Sequence, residues 1–341
     1  MPNFGLDFIS KGLPKVVAKL QTEAPVDTFL QSVLFPGTLL GTEGVDGVAY
    51  DWRKKNPGLA EEAVRGADPN RVNYKSNFNS AYVVPNYYHD VDIVGLEDAD
   101  HRYFGEDIET NVDSHDRVTR VFADKAVAID DSHTMAKEQM CADVLFNAKV
   151  VNKEGEQTFP MTASLLAQSG ANLTTKFEEV ISKAYENTRK LNKAFRATAL
   201  VLNPEDALTV VKALGTLIDK NTYNLGNVAF GAGSHGEVLC GVVDTPAGKI
   251  AVYAYYGVNA AGNNYIPKGK GLLLSGAVGA MAYGRVRAFE NGKPCYRVQS
   301  KRMTAYEDGK GDMAHYEVEV QTAPLPVITN IDGYCVLTSI S

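Results

Sequence analysis

The chain has 341 residues, 45% of them hydrophobic, enough apolar material for one large core or two modest ones, so a disordered protein is excluded. Its 34 Lys and Arg stand against 41 Asp and Glu, a formal net charge of -7, whereas a sequence-tolerant nucleic-acid binder shows a basic face; the longest basic run is Arg53-Lys54-Lys55. The 4 cysteines lie far apart with no C-x-x-C pair, which argues against a zinc site and against a dense disulfide framework.

The N-terminal stretch lacks a continuous apolar core ending in a small-residue cleavage site, so no secretory signal is expected, and the chain reads as soluble and intracellular when made. The longest charge-free apolar run, Gly271 to Gly284, falls short of the roughly 18 residues that a membrane-spanning helix needs. Contact with a membrane is not expected.

In chain order, residues 1–25 read as an arm that ends at Pro25. From Val26 to Leu40, Phe29, Val33 and Leu34 fall near helical spacing before Pro36-Gly37 interrupts them. Residues 50–80 are polar, mixed in charge and broken by Pro57, Gly58, Gly66 and Pro69; such a stretch buries little surface alone and reads as an extended excursion. Trp52 at its start is read as a protein contact, because the basic charge of a nucleic-acid stacking platform is missing.

Residues 81–94, rich in Val and Tyr, carry strand chemistry. Apolar residues from Val118 to Leu145 then recur at three- and four-residue steps, predicting a long helix over about 113–147 with a break or recap at "DDSH", 130–133. A hairpin is expected around Glu154-Gly155. Thr175 and Glu178 form a capping-box pattern that starts a second amphipathic helix, and Asn203-Pro204 starts a third after a short buried strand.

Beyond that helix, strand signals dominate. A hairpin turns at Pro246–Gly248, a short apolar strand lies within "YIPKGKGLLLSG", and Tyr316, Val318 and Val320 alternate with polar residues. Asp332-Gly333 reads as a turn between two further strand-like runs. The class is α+β, without sustained βαβ alternation.

Chemical motifs are few. Gly231, Gly233 and Gly236 match the spacing G-x-G-x-x-G, and Ser234 sits where a hydrolase nucleophile elbow would place it, with Asp312 and His315 later in the chain. Both motifs require a helix immediately after the loop, but "EVLCGVVDTPAGKIAVYAYY" is β-rich, so the loop reads as glycines that permit positive φ. His89, Asp90, Asp92, Asp98, Asp100 and His101 have neither EF-hand nor H-E-x-x-H spacing and read as an acidic solvated turn. No catalytic residue, metal or cofactor is therefore expected.

The order of arm, polar excursion, long helix, hairpin, mixed lobe and returning strands resembles the tailed-phage major capsid proteins of the Hong Kong 97-type fold, above all the lambda-type major capsid protein E family. "RATALVLNPEDALTVVKALG", "YIPKGKGLLLSG" and "VEVQTAPLPVITNIDGYCVLTSIS" carry the likeness; before residue 100 the match is one of character and position. The resemblance implies an N-terminal arm over 1–44, an extended (E) loop over 45–90, a peripheral (P) domain over 91–194 with spine helix 113–147, an axial (A) domain over 195–290 and a return to the P domain over 291–341. It further implies a non-enzymatic virion protein, assembled in the host cytoplasm as a homo-oligomer of hexamers and pentamers in an icosahedral shell. Scaffold, portal and decoration proteins are the partners it implies, with double-stranded DNA packaged without sequence-specific binding.

On that reading Arg53, Lys54, Lys55, Glu61, Glu62, Arg65, Arg71 and Lys75 set register between subunits, and Gly233, Ser234, His235 and Gly236 make contacts near a symmetry axis. An encapsulin-like compartment shell and a hydrolase using Ser234 are the alternatives.

Overall fold

The computed structural model describes residues 26–40, 48–53, 78–94, 114–152, 155–158, 173–214, 235–290, 293–297, 299–307, 313–330 and 333–338. A π-helical turn at Leu30–Leu34 precedes β1 (Gly37–Leu40), and β2 (Val48–Arg53) pairs with β3 (Phe78–Val83). β4 (Tyr88–Val94) comes before the long α1 (Ser114–Asn147), after which β5 (Lys149–Asn152) and β6 (Gly155–Thr158) form the expected hairpin. α2 (Leu173–Leu191), β7 (Ala199–Leu202) and α3 (Pro204–Leu214) follow. The remaining strands are β8 (Glu237–Thr245), β9 (Gly248–Tyr255), β10 (Lys270–Leu274), β11 (Gly279–Tyr283) and β12 (Val286–Glu290). They continue as β13 (Lys293–Arg297), β14 (Gln299–Glu307), β15 (Met313–Thr322), β16 (Pro324–Ile328) and β17 (Tyr334–Thr338).

The centre is a five-stranded sheet in the order β17-β10-β7-β9-β8. β7, β9, β10 and β17 are largely continuous apolar runs because both faces are covered, whereas the edge strand β8 is only partly buried. Val201, Tyr253, Tyr255, Leu272, Leu274 and Val336 face a core shared with the C-terminal half of α1, while Leu200, Leu202, Val252, Leu273 and Leu337 face α2 and α3. Alternate residues of β7, β9, β10 and β17 thus enter opposite cores, and neither face of these strands offers a place for polar alternation. β7 runs parallel to β9, a single crossover within an otherwise antiparallel sheet.

α3 begins as its sequence predicts. Asn203 Oδ1 accepts the Glu205 N–H at 3.1 Å, and Asn203 Nδ2 donates to the Ile266 carbonyl at 2.9 Å, so one side chain caps the helix and holds the loop before β10. α2 differs from expectation: it starts at Leu173 rather than Thr175 and is interrupted at Lys176 (φ -135, ψ 40). The face after the interruption, Phe177, Val180, Ile181 and Ala184, is buried as the spacing implied.

α1 runs unbroken through 130–133, contrary to the predicted break. The polar side chains that would have recapped the helix are taken by tertiary partners instead. Asp130 accepts from Lys301 Nζ and Gln299 Nε2, both at 2.7 Å, and buried His133 meets Asp90 at 2.7 Å. The helix spans about 50 Å. Its N-terminal half packs Val121, Phe122, Ala126 and Ile129 under the sheet β14-β15-β4, and its C-terminal half sends Cys141, Val144 and Leu145 into the central core.

A second three-stranded sheet, β1-β11-β16, closes the central core from the other side. Pro324 and Pro326 are tolerated in β16 because it is an edge strand, where missing N–H groups can face away from the ladder. β16 and β17 do not pair with each other. The turn at Gly333 carries the chain from one sheet to another rather than closing a hairpin.

Candidate functional site

The glycine-rich loop singled out in the sequence returns to the described structure at His235 and Gly236, where it meets the segment Val26–Phe35. His235 Nδ1 lies 3.0 Å from Thr28 Oγ1, and the Thr28 N–H donates to the His235 carbonyl at 3.2 Å. Gly236 has φ +92, and a Cβ there would fall 2.2 Å from Asp27 Oδ1, so glycine is required both by conformation and by space. The Tyr256 N–H donates to the Gly236 carbonyl at 3.1 Å, and Glu237 Oε2 accepts the His235 N–H at 3.0 Å.

One helical residue fastens the same segment from below. Glu138 of α1 is fully buried; its Oε1 accepts the Leu30 N–H at 2.7 Å and the Tyr255 hydroxyl at 2.5 Å, and its Oε2 accepts the Gln31 N–H at 3.0 Å. Burial raises its carboxyl from the ordinary range to about 7, against the opposing pull of these hydrogen bonds. The Tyr255 hydroxyl is pushed far up by burial and by Glu138, and Tyr265 is raised to about 12 for the same reasons. Phe29 packs on Tyr255 with ring centroids 5.3 Å apart. The cluster has the chemistry of a fastening: Cys141 is fully buried and its thiol is held well above the ordinary range by that burial, which leaves it unreactive.

Of the contact residues expected from the sequence, Arg53 is placed only by its backbone, at the end of β2 opposite Phe78. Lys54, Lys55, Glu61, Glu62, Arg65, Arg71, Lys75, Gly233 and Ser234 lie outside the described residues, as do Asp98, Asp100, His101 and Asp312. His235 and Gly236 are brought together with Asp27 and Thr28 of the same chain. After Gly236 comes strand β8, so neither the nucleophile elbow nor the dinucleotide turn has its helix. In the acidic run each described side chain has its own partner: His89 with Glu319 at 2.9 Å, Asp90 with His133 at 2.7 Å, and Asp92 with Lys125 at 3.6 Å.

The model of the phage major capsid protein E family matches residues 13–339. This chain belongs to that family. Among solved structures, the capsid protein has the fold of a prophage capsid protein from E. coli CFT073, with TM-score 0.63, 14% identity, and coverage of 96% of this chain and 98% of that chain. It also resembles the capsid of cyanophage P-SCSP1u, with TM-score 0.50, 12% identity, and coverage of 89% and 86%. No curated protein matches it. The expected α+β capsid fold of the Hong Kong 97 type and the function of a phage major capsid protein, a virion component, are thereby established.

Sequence reasoning on the capsid protein missed Glu138. The available signal was its position one turn before Cys141 and two before Leu145, on the stripe that enters the core, where an ionisable residue requires partners. It also missed Glu319, which is buried on the outer face of β15 beneath His89, Arg302 and Gln321. Among the described residues, exposed large apolar side chains include Tyr87, Val91 and Ile93 at and just before β4, and Val238, Tyr256 and Val258 beside the exit of the glycine-rich loop, besides Leu40, Val151 and Leu208 elsewhere.

Proposed function

We propose that this major capsid protein builds the icosahedral head of a tailed double-stranded DNA bacteriophage by closing into hexamers and pentamers. The family match over residues 13–339 carries the reading. On it, residues 1–44 are the N-terminal arm, 45–90 the extended loop, 91–194 the peripheral domain with its spine over 113–147, 195–290 the axial domain, and 291–341 the return to the peripheral domain. Heterologous contacts that close into rings account for both capsomer types.

The mixed charges from Arg53 to Lys75 set register between copies, and the loop through Gly233 and Ser234 makes contacts at the capsomer axis. Exposed Val238, Tyr256 and Val258 at the exit of that loop supply apolar area for such contacts. The subunit acts by assembly, without a catalytic step, in the host cytoplasm. Scaffold, portal and decoration proteins are its partners, and its net charge of -7 disfavours tight, sequence-independent capture of the packaged DNA.

Electron microscopy of the purified full chain, alone and with a candidate scaffold protein, tests this reading. Closed shells of uniform size support it, and a monomer that remains monomeric with the scaffold overturns it. Because Gly236 is needed within the subunit, Gly233→Val is the cleaner probe of the axial loop. It is expected to leave the subunit folded and to lower the yield of shells.

A further inference from the structure

We propose that the C-terminal end of α2 is a contact for the phosphate backbone of duplex DNA, made by Arg189, Lys190, Lys193 and Arg196 on each copy in the shell; this rests on the reading that the shell encloses a double-stranded DNA genome. The helix divides into a compensated and an uncompensated part. Toward its start, Glu179 lies 2.8 Å from Lys183 and 3.5 Å from Lys176, and Glu186 lies 2.8 Å from Lys190, so each of these acids meets a lysine at helical spacing. After Glu186 the sequence holds no Asp or Glu until Glu205, while Arg189, Lys190, Lys193 and Arg196 are all exposed. Four cations thus stand against one acid.

Cations at a helix C-terminus also complement the macrodipole, a role that a mobile, solvated lysine fills. The two guanidinium groups here are held in place. Arg189 lies over the Tyr185 ring, 5.6 Å from its centroid, and Tyr185 packs on buried Phe195 with centroids 6.0 Å apart. Arg196 Nη1 donates to the Phe195 carbonyl at 2.9 Å and to the Lys193 carbonyl at 3.4 Å, past the end of the helix at Leu191. Among the described residues Nη2 and Nε are left, one edge of the fork that matches a phosphate.

The other acids of this lobe lie apart or are matched. Glu205 and Asp206 sit beyond the far end of β7, about 13 Å of strand away, where Lys268 lies 2.6 Å from Glu205 and the Gly269 N–H donates to Asp206 at 2.7 Å. Asp244 lies 3.9 Å from Lys249, its partner across the β8-β9 hairpin. Charges farther away than about 8 Å are largely screened at physiological salt, so a phosphate strand at the helix end meets this patch rather than the net charge of -7. A uniform polyanion needs no register with the protein, which suits one small patch repeated on every copy. The contact is weak per copy and blind to sequence, because phosphates carry none.

Anisotropy of a labelled duplex of about 30 base pairs, titrated with the purified full chain between about 50 and about 200 mM NaCl, tests this. The slope of log affinity against log salt is expected to be about -2 to -4, and Arg189→Gln with Arg196→Gln is expected to reduce its magnitude by about 2. Arg189→Lys with Arg196→Lys keeps the charge and is expected to keep most of the slope. Lys183→Gln, in the compensated part, is expected to leave it unchanged. If the glutamine pair does not fold, Lys190→Gln with Lys193→Gln takes its place with the same expectation. An unmoved slope in the glutamine pair, or an equal loss from Lys183→Gln, overturns the proposal. So does binding of a polyglutamate peptide without binding of the duplex, which marks the patch as a contact for an acidic protein segment. Electron microscopy of the same preparations keeps the two readings apart: a parent chain that forms no shells counts against the capsid reading, whereas a glutamine pair that forms none beside a competent parent makes the patch an assembly contact and overturns the DNA contact.

Discussion

The central sheet and the sheet β14-β15-β4 differ in how their residues alternate: largely apolar runs in one, polar and apolar residues interleaved in the other. The central strands place apolar side chains in cores on both faces. In the other sheet only the face toward α1 is apolar, with Val94, Val318 and Val320, while the outer face carries exposed Val91 and Ile93 beside the cluster of His89, Glu319 and Arg302. The first sheet stabilises the subunit. The second leaves a face whose chemistry is free to vary with what covers it. A subunit made to be surrounded by copies of itself can keep its stability in one sheet and its contacts in another.

That division is open to direct challenge. The largest expected effect is at the centre: Leu200→Ala, at a fully buried position, should cost about 2–5 kcal/mol in urea unfolding, and a cost under about 1 kcal/mol would mean that the two-sided sheet is not the main source of stability. Asn203→Ala removes a helix cap and strands the Ile266 carbonyl, an expected loss of about 1–2 kcal/mol by the same measurement.

On the one-sided sheet, Arg302→Ala should cost no more than about 1 kcal/mol, since the arginine is largely exposed. The smallest effect is expected for Ile93→Ser, within about 0.5 kcal/mol for the subunit, because the side chain is 51% exposed. A fall in shell yield from a variant that folds as well as the parent would then report contacts between copies. If Ile93→Ser destabilises the subunit as much as Leu200→Ala, the contrast between the sheets fails.

What the sequence revealed followed the range of each interaction. Local rules placed the Asn203-Pro204 helix start, the hairpins and the apolar strands, because propensity, capping and turn chemistry act within a few residues. The partner of a strand was not legible. β16 and β17 are neighbours in sequence and enter different sheets, a choice made by residues far along the chain. The expected break at "DDSH" failed for the same reason: Asp130 is captured by Lys301 and His133 by Asp90, contacts 171 and 43 residues apart in sequence. At the candidate site, the glycine-rich loop was visible as composition, and Gly236 indeed adopts positive φ. Its packing against Asp27 had no local signal, and Glu138 passed as one more polar residue on a helix.

The length of α1 gives its two anchorages a mechanical meaning. Val121, under the sheet β14-β15-β4, lies about 25 Å along the axis from Glu138, so a tilt of about 5° in the central core would displace the outer end by about 2 Å. A helix without an internal break transmits that tilt as a stiff beam. A shell protein has to tile curved and flatter parts of one surface with a single sequence. A helix anchored in this way couples the packing of the central core to the position of the sheet β14-β15-β4.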